Sequence, residues 1–393
     1  MSKFEFYSVA KIVFGRGQFA RAGELAAGMG RSAMVISNAG QAGDGGLVDR
    51  LAATLDAAGV RQVFLRQRGE PKVSDVQRGL AMARQGACDM VIGLGGGSAI
   101  DAAKAVAGLL TNGGSVEDYM EVVGKGLRMT RRAAPWMAIP TTSGTGAEVT
   151  RNAVIGCPEK QFKASLRSEH LLARVALVDP ELGVAVPPEV TARAGMDALC
   201  QLIESYTSTG AGPVTDALAI EGVALAGRSL RRAYLNGSDL EAREQMALAA
   251  LLGGIALTNA GLGAVHGFAA PLGANFPAPH GAVCAALLGQ VIAANIAALR
   301  AQSPAHPALK RYAAIGRTLA GKGELTDAEA LEQAVQCVRG LAADLHIPPL
   351  GQFGVTVKDI PMLVALARKS SSMGYNPVVL PEEVLAEILR KAL

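Results

Sequence analysis

From the first residues to about residue 179, short apolar runs alternate with stretches whose apolar positions recur every three or four residues. The runs at 33–36, 62–65, 90–94 and 136–139 have strand length, and the segments at 47–58 and 73–85 have helical spacing. Apolar strands separated by amphipathic helices predict a parallel sheet covered on both faces, with ligands at the carboxyl ends of the strands. After Pro187 and Pro188 the rhythm changes to long Ala/Leu-rich helical segments at 196–207, 214–235, 239–259, 281–300, 326–345 and 381–393, punctuated by Pro271, Pro277 and Pro279. The pattern predicts an α/β domain with a parallel sheet over residues 1–182 and an all-helical domain over 183–393. A cleft near their junction is the expected ligand site.

Composition narrows the classes. The chain has 393 residues, 50% of them hydrophobic and 18% charged, enough for two cores. A net charge of +4, with Lys and Arg dispersed among acidic residues, argues against a nucleic-acid partner. Residues 1–7 show no apolar signal core, and no apolar run continues for the roughly 20 residues of a membrane span, so a soluble protein without a membrane partner is expected. Cys88, Cys157, Cys200, Cys284 and Cys337 are scattered without paired spacing. Neither a disulfide framework nor a thiolate metal knuckle is indicated, and the cytoplasm is the expected compartment.

Two loops carry candidate phosphate chemistry. The apolar run ending at Leu94 turns directly into a helical segment through Gly95, Gly96, Gly97 and Ser98. Without Cβ atoms the main chain can approach a pyrophosphate, and the first amides of the new helix favour an anion. Ser98 stands where a G-x-G-x-x-G pattern starting at Gly93 wants its last glycine, so the fit to the common dinucleotide fingerprint is incomplete. The second loop, Pro140-Thr141-Thr142-Ser143-Gly144-Thr145-Gly146, follows another apolar run and gathers hydroxyls and amides suited to phosphate or ribose, or simply to a polar turn.

A third constellation lies in the helical half. Two of the five histidines, His266 and His280, flank one proline-punctuated segment, and Asp197 precedes them. One carboxylate and two imidazoles can hold a divalent metal and leave positions open for a substrate oxygen. The same residues read equally as a helix cap and two hydrogen-bonded histidines. Gln201 lies one helical turn after Asp197 and faces the same way, a weak additional ligand.

Taken in order, these segments resemble the iron-containing (group III) alcohol dehydrogenases, relatives of glycerol dehydrogenases and, more distantly, of dehydroquinate synthases. The series runs from Ile12-Val13-Phe14-Gly15 through the two loops, Asp101, Lys104 and Glu148-Val149-Thr150. It continues through Lys163, Val178-Asp179-Pro180-Glu181-Leu182, Gly195-Met196-Asp197, Gly263-Ala264-Val265-His266-Gly267 and Pro279-His280-Gly281 to Asn376-Pro377. The resemblance implies a dehydroquinate synthase-like fold in which a nicotinamide cofactor and a metal meet. It places Asn38, Gly95, Gly96, Gly97, Ser98, Asp101, Thr141, Thr142, Thr145 and Lys163 on the cofactor side and Asp197, Gln201, His266 and His280 at the metal. Three positions depart from the family pattern: Gln201 stands where a histidine ligand is usual, Ala270 where a second histidine handles protons near the nicotinamide, and Asn38 where an Asp meets the ribose. The surviving Asp/His/His set is similar to that of zinc-dependent glycerol dehydrogenases, so Fe2+ and Zn2+ both stay open. Asn38 lacks the charge that repels a 2′-phosphate, so NAD is expected with NADP less strongly excluded.

The expected activity is hydride transfer between nicotinamide and a small alcohol, aldehyde or ketone, with Asp101, His266 and His280 as catalytic candidates and a homodimer or larger homo-oligomer as the assembly. A metal-independent reductase, a dehydroquinate synthase-like cyclase and a weakly active cofactor-binding protein are the alternatives. The cyclase is disfavoured by the scarcity of Lys and Arg around His266 and His280.

Overall fold

The computed structural model describes residues 4–38, 46–121, 124–157 and 162–393. The chain divides into two compact units, one of residues 7–186 with Gly237–Ala247, the other of Pro187–Asn236 and Leu248–Leu393 together with the short N-terminal segment ending at Phe6.

The first unit contains strands β1 (Ile12–Phe14), β2 (Ser32–Ser37), β3 (Arg61–Arg66), β4 (Met90–Gly95), β5 (Trp136–Pro140), β6 (Asn152–Cys157), β7 (Phe162–Arg167) and β8 (Val175–Val178). Its helices are α1 (Ala22–Ala27), α2 (Leu47–Ala57), α3 (Val73–Gln85), α4 (Gly97–Asn112) and α5 (Val116–Tyr119). Six strands form a parallel sheet in the order β1-β8-β5-β4-β2-β3. The order reverses around β4, so the chain leaves β2 and β4 in opposite directions across the sheet, and such a switch point opens a crevice at the strand ends. β2, β4 and β5 are buried along their whole length, which is why they read as unbroken apolar runs. One face is sealed by Leu51, Leu55, Ile92, Leu94, Ile139 and Leu177 in a single cluster.

The expected α/β domain is present, with one addition. β6 and β7 form an antiparallel hairpin outside the main sheet. The segment 237–247, which leads into the helical half, also belongs to this unit and is tied down by Arg243. The guanidinium donates to the carbonyls of Gly237 at 3.0 Å and Val186 at 3.2 Å.

The second unit is helical: α6 (Pro188–Thr207), α7 (Pro213–Leu235), α8 (Leu240–Ala260, whose first turns lie in the other unit), α9 (Ala264–Asn275), α10 (His280–Gln302), α11 (Pro307–Ala320), α12 (Asp327–Asp344), α13 (Ile360–Ala367) and α14 (Glu382–Ala392). α6 begins eight residues before the expected start at 196, with Pro188 at a first-turn position where its missing N–H costs nothing. α9 was not expected, because Pro271 sits inside it and removes the bond to the carbonyl four residues back. α10 is long and apolar enough to cross a membrane by composition, but 72% of its apolar window is buried inside the protein, as in a core helix. Its close approach to α6 requires Gly281, where a Cβ would run into the main chain of Arg193.

Candidate active site

In the first unit the turn from β4 into α4 is built around Asn38. Its Oδ1, at the end of β2, accepts the amide of Gly96 at 3.0 Å. Gly95 has φ +145°, and a side chain there would collide with Asn38, so only glycine fits. A Cβ on Gly97 would lie 2.8 Å from Thr145 Oγ1, so the hydroxyl loop packs directly on the glycine turn. Gly96 is less constrained: the nearest atoms to a Cβ there are Thr142 Oγ1 at 3.3 Å and Cγ2 at 3.7 Å, a tight contact that a small shift of the Thr142 side chain relieves. α4 then starts with no side-chain cap and no acidic residue in its first turn, and Ser98 is its second residue. A long helix with uncapped first amides is an anion site. Thr141, on the adjacent loop, is fixed by its amide bonding to Gly95 O at 2.9 Å.

Two cofactor-side candidates have other partners. Asp101 Oδ2 accepts the amide of Val154 at 3.0 Å and Oδ1 lies 3.5 Å from Lys104 Nζ, so its carboxylate anchors α4 to the β6–β7 hairpin. Lys163 forms an ion pair with Glu70. Lys104 itself is fully buried and donates to Thr150 Oγ1 at 2.7 Å and to the Asn152 carbonyl at 2.6 Å.

In the second unit, α6, α9 and α10 bring Asp197, His266 and His280 together. Asp197 Oδ1 lies 3.4 Å from His266 Nε2 and 3.6 Å from His280 Nε2. The two rings stand 5.4 Å apart between centroids. Asp197 is 2% exposed, yet its Oδ1 has no hydrogen-bond partner. A buried carboxylate oxygen left without a donor costs several kcal/mol unless a cation completes it. Gln201 is turned toward Asp197. Its Nε2 donates to Asp197 Oδ2 at 3.1 Å, and its unpaired Oε1 lies 3.6 Å from where a Cβ on Gly253 of α8 would stand. Ala270, one turn past His266, is exposed.

Sequence reasoning missed Glu204, which fixes this arrangement. Its Oε2 pairs with His266 Nδ1 at 2.7 Å, and its Oε1 accepts the amide of Val265 at 2.7 Å. One carboxylate thus sets the tautomer of a candidate ligand, leaving Nε2 free for a metal, and caps the N-terminus of α9. The preceding amide, Ala264 N, donates to Asn376 Oδ1 at 3.2 Å, and Asn376 is itself paired with Asn295. The missed signal was a stripe of polar residues, Asp197, Gln201 and Glu204, at helical spacing along an apolar helix.

The electrostatics favour positive charge at the centre. Burial pushes the Asp197 carboxyl up, and the imidazoles pull it back only partly. At His266 burial opposes the imidazolium but is outweighed by Cys284, Asp197 and Glu204, so its pKa lies well above the usual histidine range. Cys284 and Asp197 push His280 up to about 9 against the opposing effect of burial.

Comparison with known proteins is consistent across the whole chain. Residues 10–180 match the iron-containing alcohol dehydrogenase family, and residues 191–393 match that family's C-terminal domain. The chain belongs to the iron-containing alcohol dehydrogenase family. It is 41% identical over 313 residues to long-chain-alcohol dehydrogenase 1 of Geobacillus thermodenitrificans, covering 79% of this chain and 76% of that protein. It is 33% identical over 390 residues to the NAD-dependent methanol dehydrogenase of Bacillus methanolicus, covering 99% of each. A crystal structure of a 1,3-propanediol oxidoreductase superposes with a TM-score of 0.91 at 34% identity, covering all of both chains. Like its family, this alcohol dehydrogenase is a metal-dependent oxidoreductase acting on CH–OH groups, with NAD(H) and a divalent metal as its cofactors. The residues fit both: the β4–α4 turn offers uncapped amides, and the Asp197 cluster offers a buried anion with two imidazole nitrogens beside it.

Proposed function

We propose that this enzyme oxidises small primary alcohols, or reduces the matching aldehydes, with Asp197, His266 and His280 holding one Zn2+ or Fe2+ ion. The observation that carries the reading is Asp197 Oδ1, buried and without a donor, facing two imidazole Nε2 atoms. The named relatives, a long-chain-alcohol and a methanol dehydrogenase, support a primary alcohol substrate without fixing its length.

When bound, the metal supplies a Lewis acid that acidifies an alcohol, and the nicotinamide supplies the hydride acceptor. The chain's own residues do the rest. The free amides of Gly97 and Ser98 at the start of α4 would hold the pyrophosphate, which the glycines let approach the main chain. Thr141, Thr142 and Thr145 would orient the nucleotide beside that turn, and Asn38 braces the turn through the Gly96 amide and would leave its Nδ2 amide for the ribose. Asp101 acts as a positioning residue for α4, and Lys163 acts through its pair with Glu70. Glu204 holds His266 in the tautomer that directs Nε2 to the metal, and Gln201 orients Asp197. Position 270 is alanine, so the alcohol proton would have to be carried by water, the ribose hydroxyls or another side chain. NAD is the preferred dinucleotide, with NADP accepted more weakly, and the enzyme works in the cytoplasm as a homo-oligomer.

The test is elemental analysis of purified protein followed by turnover across an alcohol series with NAD and NADP. One metal per chain, with activity lost on chelation and restored by Zn2+ or Fe2+, is expected. Full turnover by metal-free protein would overturn the reading in favour of a metal-independent reductase.

A further inference from the structure

Two buried thiols adjoin the donor cluster and each other, and they approach different nitrogens of His266. Cys200 Sγ lies 3.8 Å from Nδ1, the nitrogen already engaged by Glu204. Cys284 Sγ lies 3.9 Å from His266 Nε2 and 3.7 Å from His280 Nε2, the two nitrogens that face Asp197 Oδ1. Ligand atoms of Asp197, His266, His280 and Cys284 all fall within 4.8 Å of one another. Cys284 follows His280 by one turn of α10, so both side chains leave the same helix face, as Asp197 and Gln201 do on α6. Gln201 has its amide N–H turned to the carboxylate and its oxygen turned to α8.

We propose that Cys284 is the fourth protein ligand of the metal, as a thiolate, and that Gln201 is not one; this rests on the reading of the Asp197 cluster as the metal site. The thiol gives its proton to solvent as the sulfur–metal bond forms. A donor set of one carboxylate, two imidazoles and one thiolate suits Zn2+ better than a set with a neutral amide oxygen in the fourth place. Soft sulfur raises the preference for zinc over ions that favour oxygen donors. The cysteines look uninformative in sequence because no second thiol shares the pattern; the partner of Cys284 is a histidine four residues before it.

X-ray absorption at the zinc edge on zinc-loaded wild type reads the coordination shell without reference to activity. One sulfur at about 2.3 Å beside nitrogen and oxygen at about 2.0–2.1 Å is the expected result. Cobalt-substituted protein should show a thiolate charge-transfer band in the near ultraviolet that Cys200→Ser keeps and Cys284→Ser loses. The Zn2+ Kd of Cys284→Ser should rise roughly tenfold or more. A wild-type shell of nitrogen and oxygen alone overturns the proposal even if the variant fails to fold, and so does a band that survives Cys284→Ser. Wild type that takes up no metal at all removes the site reading and this proposal together, whereas a metal-loaded shell without sulfur removes only the proposal.

Discussion

The cofactor turn after β4 and the donor cluster on α6, α9 and α10 solve opposite problems. The turn presents main-chain amides, so its chemistry depends on what is missing: side chains at Gly95, Gly96 and Gly97, a cap on α4, and an acidic residue in the first turn. The cluster presents side chains held by other side chains, with Asp197 braced by Gln201 and His266 by Glu204. A contiguous loop keeps its function under most substitutions outside it. A cluster gathered from three helices loses its function when any donor or brace goes, and the sharpest tests exploit that asymmetry.

The largest expected effect is at Asp197. Replacing it by Ala removes the anion around which both imidazoles are arranged, so metal content should fall to background and kcat/KM by about 10³-fold or more. NADH affinity, read by fluorescence titration, should stay at the wild-type value because the turn lies in the other compact unit. Parallel loss of nucleotide binding would mean that the two regions are not independent.

Buried charge separates the regions in another way. Glu148, beside the hydroxyl loop, is 4% exposed, and burial lifts its pKa from 4.5 to about 7, with Lys104 opposing. An acid with a raised folded-state pKa binds more protons folded than unfolded, so it weakens the fold progressively as pH rises from about 4.5 to about 7, with no further change above. Glu148→Gln lacks that titration. Its stability relative to wild type should therefore improve by about 3 kcal/mol across this window, measured by urea unfolding. A difference that stays flat with pH would place the Glu148 carboxylate in a solvated or fully compensated site.

Next in size is Glu204. Glu204→Ala frees His266 Nδ1 and uncaps α9, so metal affinity should drop about 10–100-fold, while Glu204→Gln, which keeps an acceptor oxygen, should recover part of the loss. Metal titration of both variants checks this, and equal loss in the two would point to charge rather than hydrogen bonding as the brace. Glu204 also shows what a sequence conceals. The glycine turn, the hydroxyl loop and the alternation of strand and helix are local, and each was readable from adjacent residues. Asp197, His266 and His280 stood out because polar groups are scarce in that half. The role of Glu204 depends on α9, a helix hidden by Pro271, packing its N-terminus on α6, and the β6–β7 hairpin likewise lay outside any alternation of strand and helix.

At the turn, Gly96 and Gly95 should respond differently. Gly96 has extended backbone and its Cβ would crowd only the Thr142 side chain, so Gly96→Val should fold with a modestly lowered melting temperature and raise the NADH Kd roughly tenfold by occupying the ligand's place. Gly95→Ala meets both a φ of +145° and the Asn38 side chain, so it should lower the melting temperature as well as the affinity. If Gly96→Val binds NADH normally, the Gly96 side of the turn does not face the pyrophosphate.

The smallest effect, and the finest test of the turn, is at Asn38. Its Oδ1 holds the Gly96 amide, and an Asp in its place keeps that hydrogen bond through one oxygen while the other replaces the Nδ2 amide with negative charge. The turn should therefore survive Asn38→Asp with NAD kinetics little changed. A 2′-phosphate would meet the new carboxylate, so the NADP to NAD ratio of kcat/KM should fall roughly five- to tenfold at low salt and less at high salt, where the repulsion is screened. An unchanged ratio with normal NAD turnover would confine Asn38 to bracing the glycine turn. Loss of both activities would instead show that the brace needs the neutral amide, since a carboxylate retains an acceptor but not the amide's N–H donors.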